Sequence, residues 1–419
     1  MKDQPARAAS LVLALLLLAY ILNYLDRQIL GILAGPIIGE LHFTDRQFGA
    51  LSGPPFAILY SVLGIPFAYL ADRTSRSRVI AAAVAIWSAF TALCGTAGSF
   101  WQFFIFRMGV GIGEAGGVAP SYALIADYFE PRRRARALAV FSLGVPIGLA
   151  LGTLLGAYIA QAISWRAAFF TMGVAGVLLA PMLLFVVRDP VRARGADAAP
   201  IGTVFPMLAR KPVFWLLALA ASSSSLCGYG LATWIPSVLE RSYHLTLIER
   251  GEFMASVVFI GGCTGVFAGG WFADRLGAVD RGWYAKLPAI AWLVTAPTFA
   301  LGLMAPSLWV AWPLLLIPNA LNILWLGPVI TAVQHLVPRS MRSTASASFL
   351  LINNLIGLGV GPYLIGSVSE SLKHDYGAES LRYAAVGCTI FYLIASLLMF
   401  FCVPRLRTAW VEDSPADPD

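Results

Sequence analysis

Twelve long apolar stretches constrain this chain more than any other feature. They run at roughly 10–39, 47–70, 78–98, 101–128, 136–162, 167–187, 213–239, 248–272, 286–304, 308–336, 343–370 and 381–403. Each approaches or exceeds the roughly 20 residues that a helix needs to cross a bilayer. Hydrophobic residues make up 58% of the 419 and charged residues only 12%, about half the charge of an ordinary soluble domain. A soluble globule, a disordered chain and a disulfide scaffold are excluded together; an all-α polytopic membrane protein with 12 transmembrane helices remains.

The first stretch follows Lys2 and Arg7 and has the outline of a signal peptide. No small-residue cleavage site closes it, and it continues into Asn23-Tyr24-Leu25-Asp26-Arg27, so it reads as the first span. The one long polar connection, from Arg188 to Pro212, carries Gly195, Pro200 and Pro206. It divides the chain into an N-terminal six-helix bundle (1–190), a cytoplasmic linker (191–212), a C-terminal six-helix bundle (213–404) and a cytoplasmic tail (405–419).

The basic residues set an orientation. Of the 29 lysines and arginines, 21 fall in the N-terminus, the even-numbered loops and the C-terminus, 6 in the odd-numbered loops and 2 inside spans. Positive charge stays on the cytoplasmic side, which predicts a multi-pass protein of the plasma (bacterial inner) membrane with both termini cytoplasmic. The net charge of +7 is thereby topological, and no nucleic-acid partner is expected.

The two halves repeat. Leu70-Ala71-Asp72-Arg73 after span two returns as Phe272-Ala273-Asp274-Arg275 after span eight, and Pro131 with its arginines returns as Pro338-Arg339-Ser340-Met341-Arg342. Span five places Gly144, Gly148, Gly152 and Gly156 at strict i+4 spacing, and span eleven has Gly357 and Gly361 in the comparable position. Two pseudo-symmetric halves of the same orientation are a known organisation of secondary transporters.

Four ionisable residues lie well inside first-half spans: Asp26 and Arg27 in span one, Arg107 and Glu114 in span four. Each costs about 2.5–3.5 kcal/mol at a helix centre before partners are counted. Their charges sum to zero, so mutual pairing offsets much of that cost. Arg107 and Glu114 are two turns apart on one helix face, and Tyr20, Asn23 and Arg27 form a second polar stripe. Two readings follow: an ion-pair network that locks helices, or a cluster that couples protons and anchors substrate. In the second, apolar surroundings favour the protonated carboxylate and a nearby arginine the ionised one, so a movement of the arginine switches between them.

The second half has no acidic residue deep in a span. Its polar interior candidates are Ser222 to Ser225, Tyr229, Thr233 and Trp234 in span seven, Asn319 and Asn322 in span ten, and Asn353 and Asn354 in span eleven. Hydroxyls and amides there bind a substrate or fasten helices to one another. Gly111-Ile112-Gly113-Glu114-Ala115-Gly116 fits GxGxxG by letter, but it lies within an apolar helix with no preceding strand, so no dinucleotide is expected. No GxxxxGK[ST] is present, and the five cysteines and four histidines make no metal-ligand spacing. The chain is expected to be no enzyme, to hold no cofactor or metal, and to use the proton gradient as its driving force.

Asp72-Arg73-x-Ser75-x-x-Arg78 and Gly270-x-x-x-Asp274-Arg275-x-Gly277 resemble the loop motif of the major facilitator superfamily, the first copy with Ala68 and Ser75 where glycines are usual. Within that superfamily, Asn23-Tyr24-Leu25-Asp26-Arg27 is similar to the Spinster family of sphingolipid and lysophospholipid transporters. So is Arg107-x3-Gly111-Ile112-Gly113-Glu114-Ala115 with Ala119-Pro120 and Ile125-Ala126-Asp127-Tyr128-Phe129. The organic anion:cation symporters share an Asp-Arg or Arg near span one and a GxGE in span four. The Spinster resemblance implies proton-carrying roles for Asp26 and Glu114, and charge-partner or head-group roles for Arg27 and Arg107. It implies a cytoplasmic gate at Asp72, Arg73, Arg76, Asp274 and Arg275, with Asp72 meeting the start of span eleven and Asp274 the region of span five.

The resulting expectation is a secondary, proton-coupled transporter that moves an amphiphilic lipid-like molecule by alternating access; a symporter of small organic anions is the alternative. The head group is expected near Arg27 and Arg107, the tail among aromatics such as Trp234 and Trp325, and Tyr20, Asn23, Tyr24, Asn319, Asn322 and Asn353 along the cavity. Partners are the substrate, protons and membrane lipids, and the protein is expected to be monomeric.

Overall fold

A computed structural model describes residues 6–189, 201–338 and 341–411. Apart from 3-10 geometry at Met341 and the 3-10 turn at Gly377–Glu379, every regular element among them is an α-helix. In chain order the first ten are α1 (Ala6–Ile32), α2 (Ala34–Leu41), α3 (Asp45–Ser52), α4 (Pro54–Arg73), α5 (Arg76–Cys94), α6 (Phe100–Ala115), α7 (Val118–Tyr128), α8 (Pro131–Ser142), α9 (Gly144–Ala162) and α10 (Trp165–Val186). There follow α11 (Ile201–Ala209), α12 (Pro212–Tyr243), α13 (Leu247–Val279), α14 (Trp283–Leu303), α15 (Leu308–Ile323), α16 (Leu326–Gln334), α17 (Arg342–Tyr376), α18 (Ser380–Cys388) and α19 (Ile390–Ala409).

Ten stretches among the described residues are long and apolar enough to cross a membrane. The fourth expected span is divided at Gly116-Gly117 into α6 and α7, neither long enough alone. The last stretch, Arg342–Ala409, is 68 residues long and takes in the eleventh and twelfth expected spans. Much of the expected linker lies outside the described residues; its final part forms α11.

Two compact units emerge. One comprises 1–193, 232–259 and 362–381, the other 194–231, 260–361 and 382–419. In the first, short loops are turned by side-chain caps that satisfy orphan N–H groups at helix starts. Thr44 and Gln47 form a reciprocal capping box at α3, and Ser75, Ser99 and Ser164 cap α5, α6 and α10. α1 packs on α9, and α5 on α6 and α10. The α1–α9 seam is backbone against backbone: a Cβ on Gly148 would lie 2.5 Å from the Ile21 carbonyl oxygen, and one on Gly152 2.7 Å from that of Leu25. α6 approaches its neighbours in the same way, since a Cβ on Gly113 would run into the Trp87 backbone nitrogen of α5.

In the second unit α14 packs on α15 and α19, around fully buried Trp292 and Tyr392. Here Gly357 and Gly361 of α17 meet Ser225 and the Leu226 carbonyl of α12 as closely as the α9 glycines meet α1. Beyond α19 the chain stays attached. The Trp410 ring stacks on His335 with centroids 4.2 Å apart and on Tyr284 at 5.2 Å, and Val411 N–H donates to the His335 carbonyl at 2.7 Å.

Candidate functional site

The four intramembrane charges come together within the first unit. α1 carries Asp26 and Arg27 as consecutive residues, which a helix aims about 100° apart, so they meet different neighbours. Arg27 Nε donates to Glu114 Oε2 of α6 at 2.7 Å. Asp26 Oδ2 accepts from the Thr91 hydroxyl of α5 at 2.5 Å. Glu114 is fully buried, and Asp26 and Arg107 are each 3% exposed.

The pairing is incomplete. Arg107 Nε and Nη1, Glu114 Oε1 and Asp26 Oδ1 are all buried without a hydrogen-bond partner among the described residues. Aromatic rings supply part of what is missing. The Arg27 guanidinium lies 4.6 Å from the Tyr60 centroid, 5.0 Å from Phe56 and 5.2 Å from Tyr24, and Arg107 lies 5.2 Å from Phe56. One phenyl ring therefore has two guanidinium groups within cation–π range. Next to this cluster, the Asn23 amide is 2% exposed and, among the described residues, neither of its polar atoms meets a partner in hydrogen-bond geometry. It faces a cleft the size of about one water molecule, lined also by Tyr20, Trp87, Ser121 and Phe141. Tyr20 stacks on Phe141 at 4.3 Å.

The remaining expected site residues are placed as follows. Trp234 is fully enclosed: its indole N–H donates to the Pro362 carbonyl at 2.9 Å and Phe48 meets its ring edge-on. In the second unit, Trp325 packs between Trp292 and Phe349. Asn319 bonds its own helix at the Leu315 carbonyl, Asn322 accepts from the Tyr392 hydroxyl at 3.1 Å, and Asn353 accepts from Ser225 at 2.9 Å. Asn322 and Asn353 thus fasten one helix to another, the other of the two roles open to them in the sequence, whereas Asn319 bonds only within its own helix.

At the loop motifs, Arg76 bridges Asp72 at 2.6 Å and Asp127 at 2.5 Å. Arg73 lies over Tyr69 at 4.3 Å and Arg275 over Trp271 at 4.6 Å, so each motif arginine covers a ring four residues earlier in its helix. The Asp274 side chain lies outside the described residues. Ser75, which stands where a glycine is usual, has its own work: its hydroxyl caps α5 and donates to Asp189, which also accepts from Ser77 N–H at 3.2 Å.

Two features were not foreseen from the sequence. One is Thr91, which shares the apolar run of α5 with one other hydroxyl, that of Ser88. The other is a polar cluster at the start of α3, where Asp45 accepts two bonds from Arg241 and one from Ser369 at 2.7 Å. Threonine-capped Asp45 carried an ordinary helix-start signal, and nothing in it pointed to an arginine 196 positions later.

Comparisons with known proteins agree with this architecture. The Major Facilitator Superfamily profile matches residues 16–362. An MFS-type efflux pump of Mycolicibacterium smegmatis is 33% identical over 98% of this chain and 96% of its own length. A probable L-galactonate transporter of Escherichia coli is 29% identical over 64% of this chain and 62% of its own length. The crystal structure of a bacterial homologue of the human lysosomal transporter Spinster, inward-facing and unoccupied, superposes with a TM-score of 0.88 at 29% identity, covering 99% of this chain and 100% of that one. With a profile spanning most of its length, relatives across nearly all of it and two glycine-seamed sets of apolar helices, the chain belongs to the Major Facilitator Superfamily of multi-pass membrane transporters.

Proposed function

We propose that the protein is a proton-coupled secondary transporter of an amphiphilic, lipid-like substrate of lysophospholipid or sphingoid type, working by alternating access in a bacterial inner membrane with both termini cytoplasmic. The observation that carries this reading is the buried Arg107, whose Nε and Nη1 have no acceptor among the described residues, next to a carboxylate of which Arg27 holds one oxygen. A buried guanidinium with open donors is costly to keep unless something completes it, and a phosphate-like head group does so with charge-assisted bonds.

Coupling follows from the charge balance. With Asp26 and Glu114 ionised, the four residues sum to zero. Protonation of either carboxylate leaves one excess positive charge in a medium of low dielectric, where an anion is strongly favoured. Proton binding and head-group binding then promote one another, as reciprocal linkage demands. Tyr24, Phe56 and Tyr60 around Arg27 offer apolar surface next to the charged centre, which suits a molecule with both characters. Asp72, Arg73, Arg76, Asp274 and Arg275 would act in the cytoplasmic gate. The lipid class rests on the resemblance of Asn23-Tyr24-Leu25-Asp26-Arg27 and of the Arg107 to Ala115 segment to the Spinster family.

The test is uptake of a fluorescent lysophospholipid into proteoliposomes with and without an imposed pH gradient. Gradient-driven uptake is expected in the wild type and lost in Glu114→Gln; unchanged driven uptake in both Glu114→Gln and Asp26→Asn would remove the mechanism. A second reading, a proton-coupled symporter of small organic anions, is favoured by the likeness to the probable L-galactonate transporter. Uptake of a panel of sugar acids and other small carboxylates, with lysophospholipid inert, would establish it instead.

A further inference from the structure

The proposed coupling role of Asp26 raises the question of what fixes this carboxylate, since its neighbour Arg27 is engaged elsewhere. Among the described residues, the Thr91 hydroxyl is the one side chain in hydrogen-bond contact with it, at 2.5 Å, and Thr91 is itself 2% exposed. The other carboxylate oxygen, Oδ1, is buried without a partner.

The surroundings leave Thr91 little competition. Ionisable groups that act on Asp26 are Arg27 on its own helix, Arg107 and Glu114 on α6, and Cys94 one turn beyond Thr91 on α5. From α9, Gly148 and Gly152 present bare backbone to this stretch of α1, and from α10 Gly173 and Gly176 do the same to Ser88 and Ala92 on α5. A threonine hydroxyl has one proton to give. Given to Asp26, it stabilises the ionised carboxylate selectively, because a protonated carboxyl brings its own donor and needs the hydroxyl only as an acceptor.

We propose that Thr91 is a positioning residue of the coupling site, whose hydroxyl orients Asp26 and sets the pH at which it takes up its proton. The proposal rests on the coupling reading above, and deepens it by naming the group that tunes one proton carrier. A hydrogen bond to a charged group corresponds to about one to two pH units. Loss of the donor therefore moves the protonation midpoint of Asp26 upward by about that much, while a serine at the same place keeps it.

The experiment is an infrared pH titration of the carboxyl band of purified protein in a Glu114→Gln background, with Asp26→Asn subtracted so that the band belongs to Asp26. Thr91→Val is isosteric and is expected to raise the midpoint by about one to two pH units; Thr91→Ser is expected to return it to the parent value. Each variant is checked for an unchanged monodisperse elution profile. A Thr91→Val midpoint equal to the parent's overturns the proposal and leaves the coupling role of Asp26 standing. A parent band that does not titrate at any accessible pH overturns both. A midpoint raised in Thr91→Val and raised equally in Thr91→Ser overturns the hydroxyl's part and assigns the effect to packing.

Discussion

Arg241 holds Asp45 through two parallel bonds, Nη2 to Oδ1 at 2.6 Å and Nη1 to Oδ2 at 2.7 Å. The fork of a guanidinium matches the two oxygens of a carboxylate, which makes this geometry stronger and more directional than a lysine contact. The Asp45 side chain is only 3% exposed, and Ser369 completes its shell. The pair draws residues from α3, α12 and α17 into one unit.

Removing one partner leaves a buried charge. Arg241→Ala is expected to destabilise the protein by about 3 kcal/mol, read as a drop in the thermal unfolding midpoint in detergent. The double variant Asp45→Ala with Arg241→Ala is expected to be less damaged than Arg241→Ala alone. Equal or additive losses would show that the two residues act independently.

Arg107→Ala is expected to weaken binding of an anionic lysophospholipid by about tenfold or more, the equivalent of one or two charge-assisted bonds. Titration of intrinsic tryptophan fluorescence measures it. Affinity that stays put while gradient-driven uptake vanishes would make Arg107 a switch in the coupling step instead of an anchor for the head group.

Volume added at the helix seams should be costly, and volume added away from them should not. Gly152→Val places branched carbons where a single Cβ already meets the Leu25 carbonyl oxygen at 2.7 Å, and an overpacked contact of this kind costs about 1–3 kcal/mol. A Cβ at Gly39 of α2 has nothing within 4 Å, so Gly39→Ala is expected to gain a few tenths to about 1 kcal/mol through helix propensity. Differential scanning fluorimetry of the two variants separates them.

Glu40 lies between the first and second spans. The hydrogen bond from Arg166, at 2.8 Å, and then that from Trp165 Nε1, hold its carboxyl below the usual range. A group whose folded value is depressed contributes stability that is present above its unfolded value, about 4.3, and is lost as pH falls through the folded one. Its half-exposed position keeps the effect modest through solvent screening. Glu40→Gln is expected to flatten the acid limb of the thermal stability profile below about pH 4. An acid limb identical to the wild type would show that Glu40 is not responsible.

The legible part of this molecule was whatever costs energy in an apolar setting. Asp26, Arg27, Arg107 and Glu114 stand out because a charge inside a span demands a partner, and the structure brings all four into one cluster. The glycine spacing of α9 and α17 reads in the sequence as part of the repeat between halves, and the structure shows what it serves: backbone-close seams in both units. Thr91 was silent because a hydroxyl inside a helix can always bond its own backbone, as Thr295 does at Ala291 and Thr153 does at Ala150. Arg241 was silent because a charge near a span end is ordinary in sequence, and its partner is decided by tertiary folding. Trp234 was conspicuous as a large aromatic among polar residues, yet a carbonyl of α17 and the Phe48 ring occupy it. Asn322 and Asn353 show the same ambiguity of polar groups in spans, resolved here by Tyr392 and Ser225.

Near the end of the described chain, Trp410 stacks on an imidazole and on a phenol ring, and the next amide is tied to the His335 carbonyl. That anchorage governs where foreign sequence can be joined. A fluorescent reporter spliced directly after Ala409 would strip the indole from its berth and free the last turn of α19, whereas one attached beyond Val411 leaves the mooring whole.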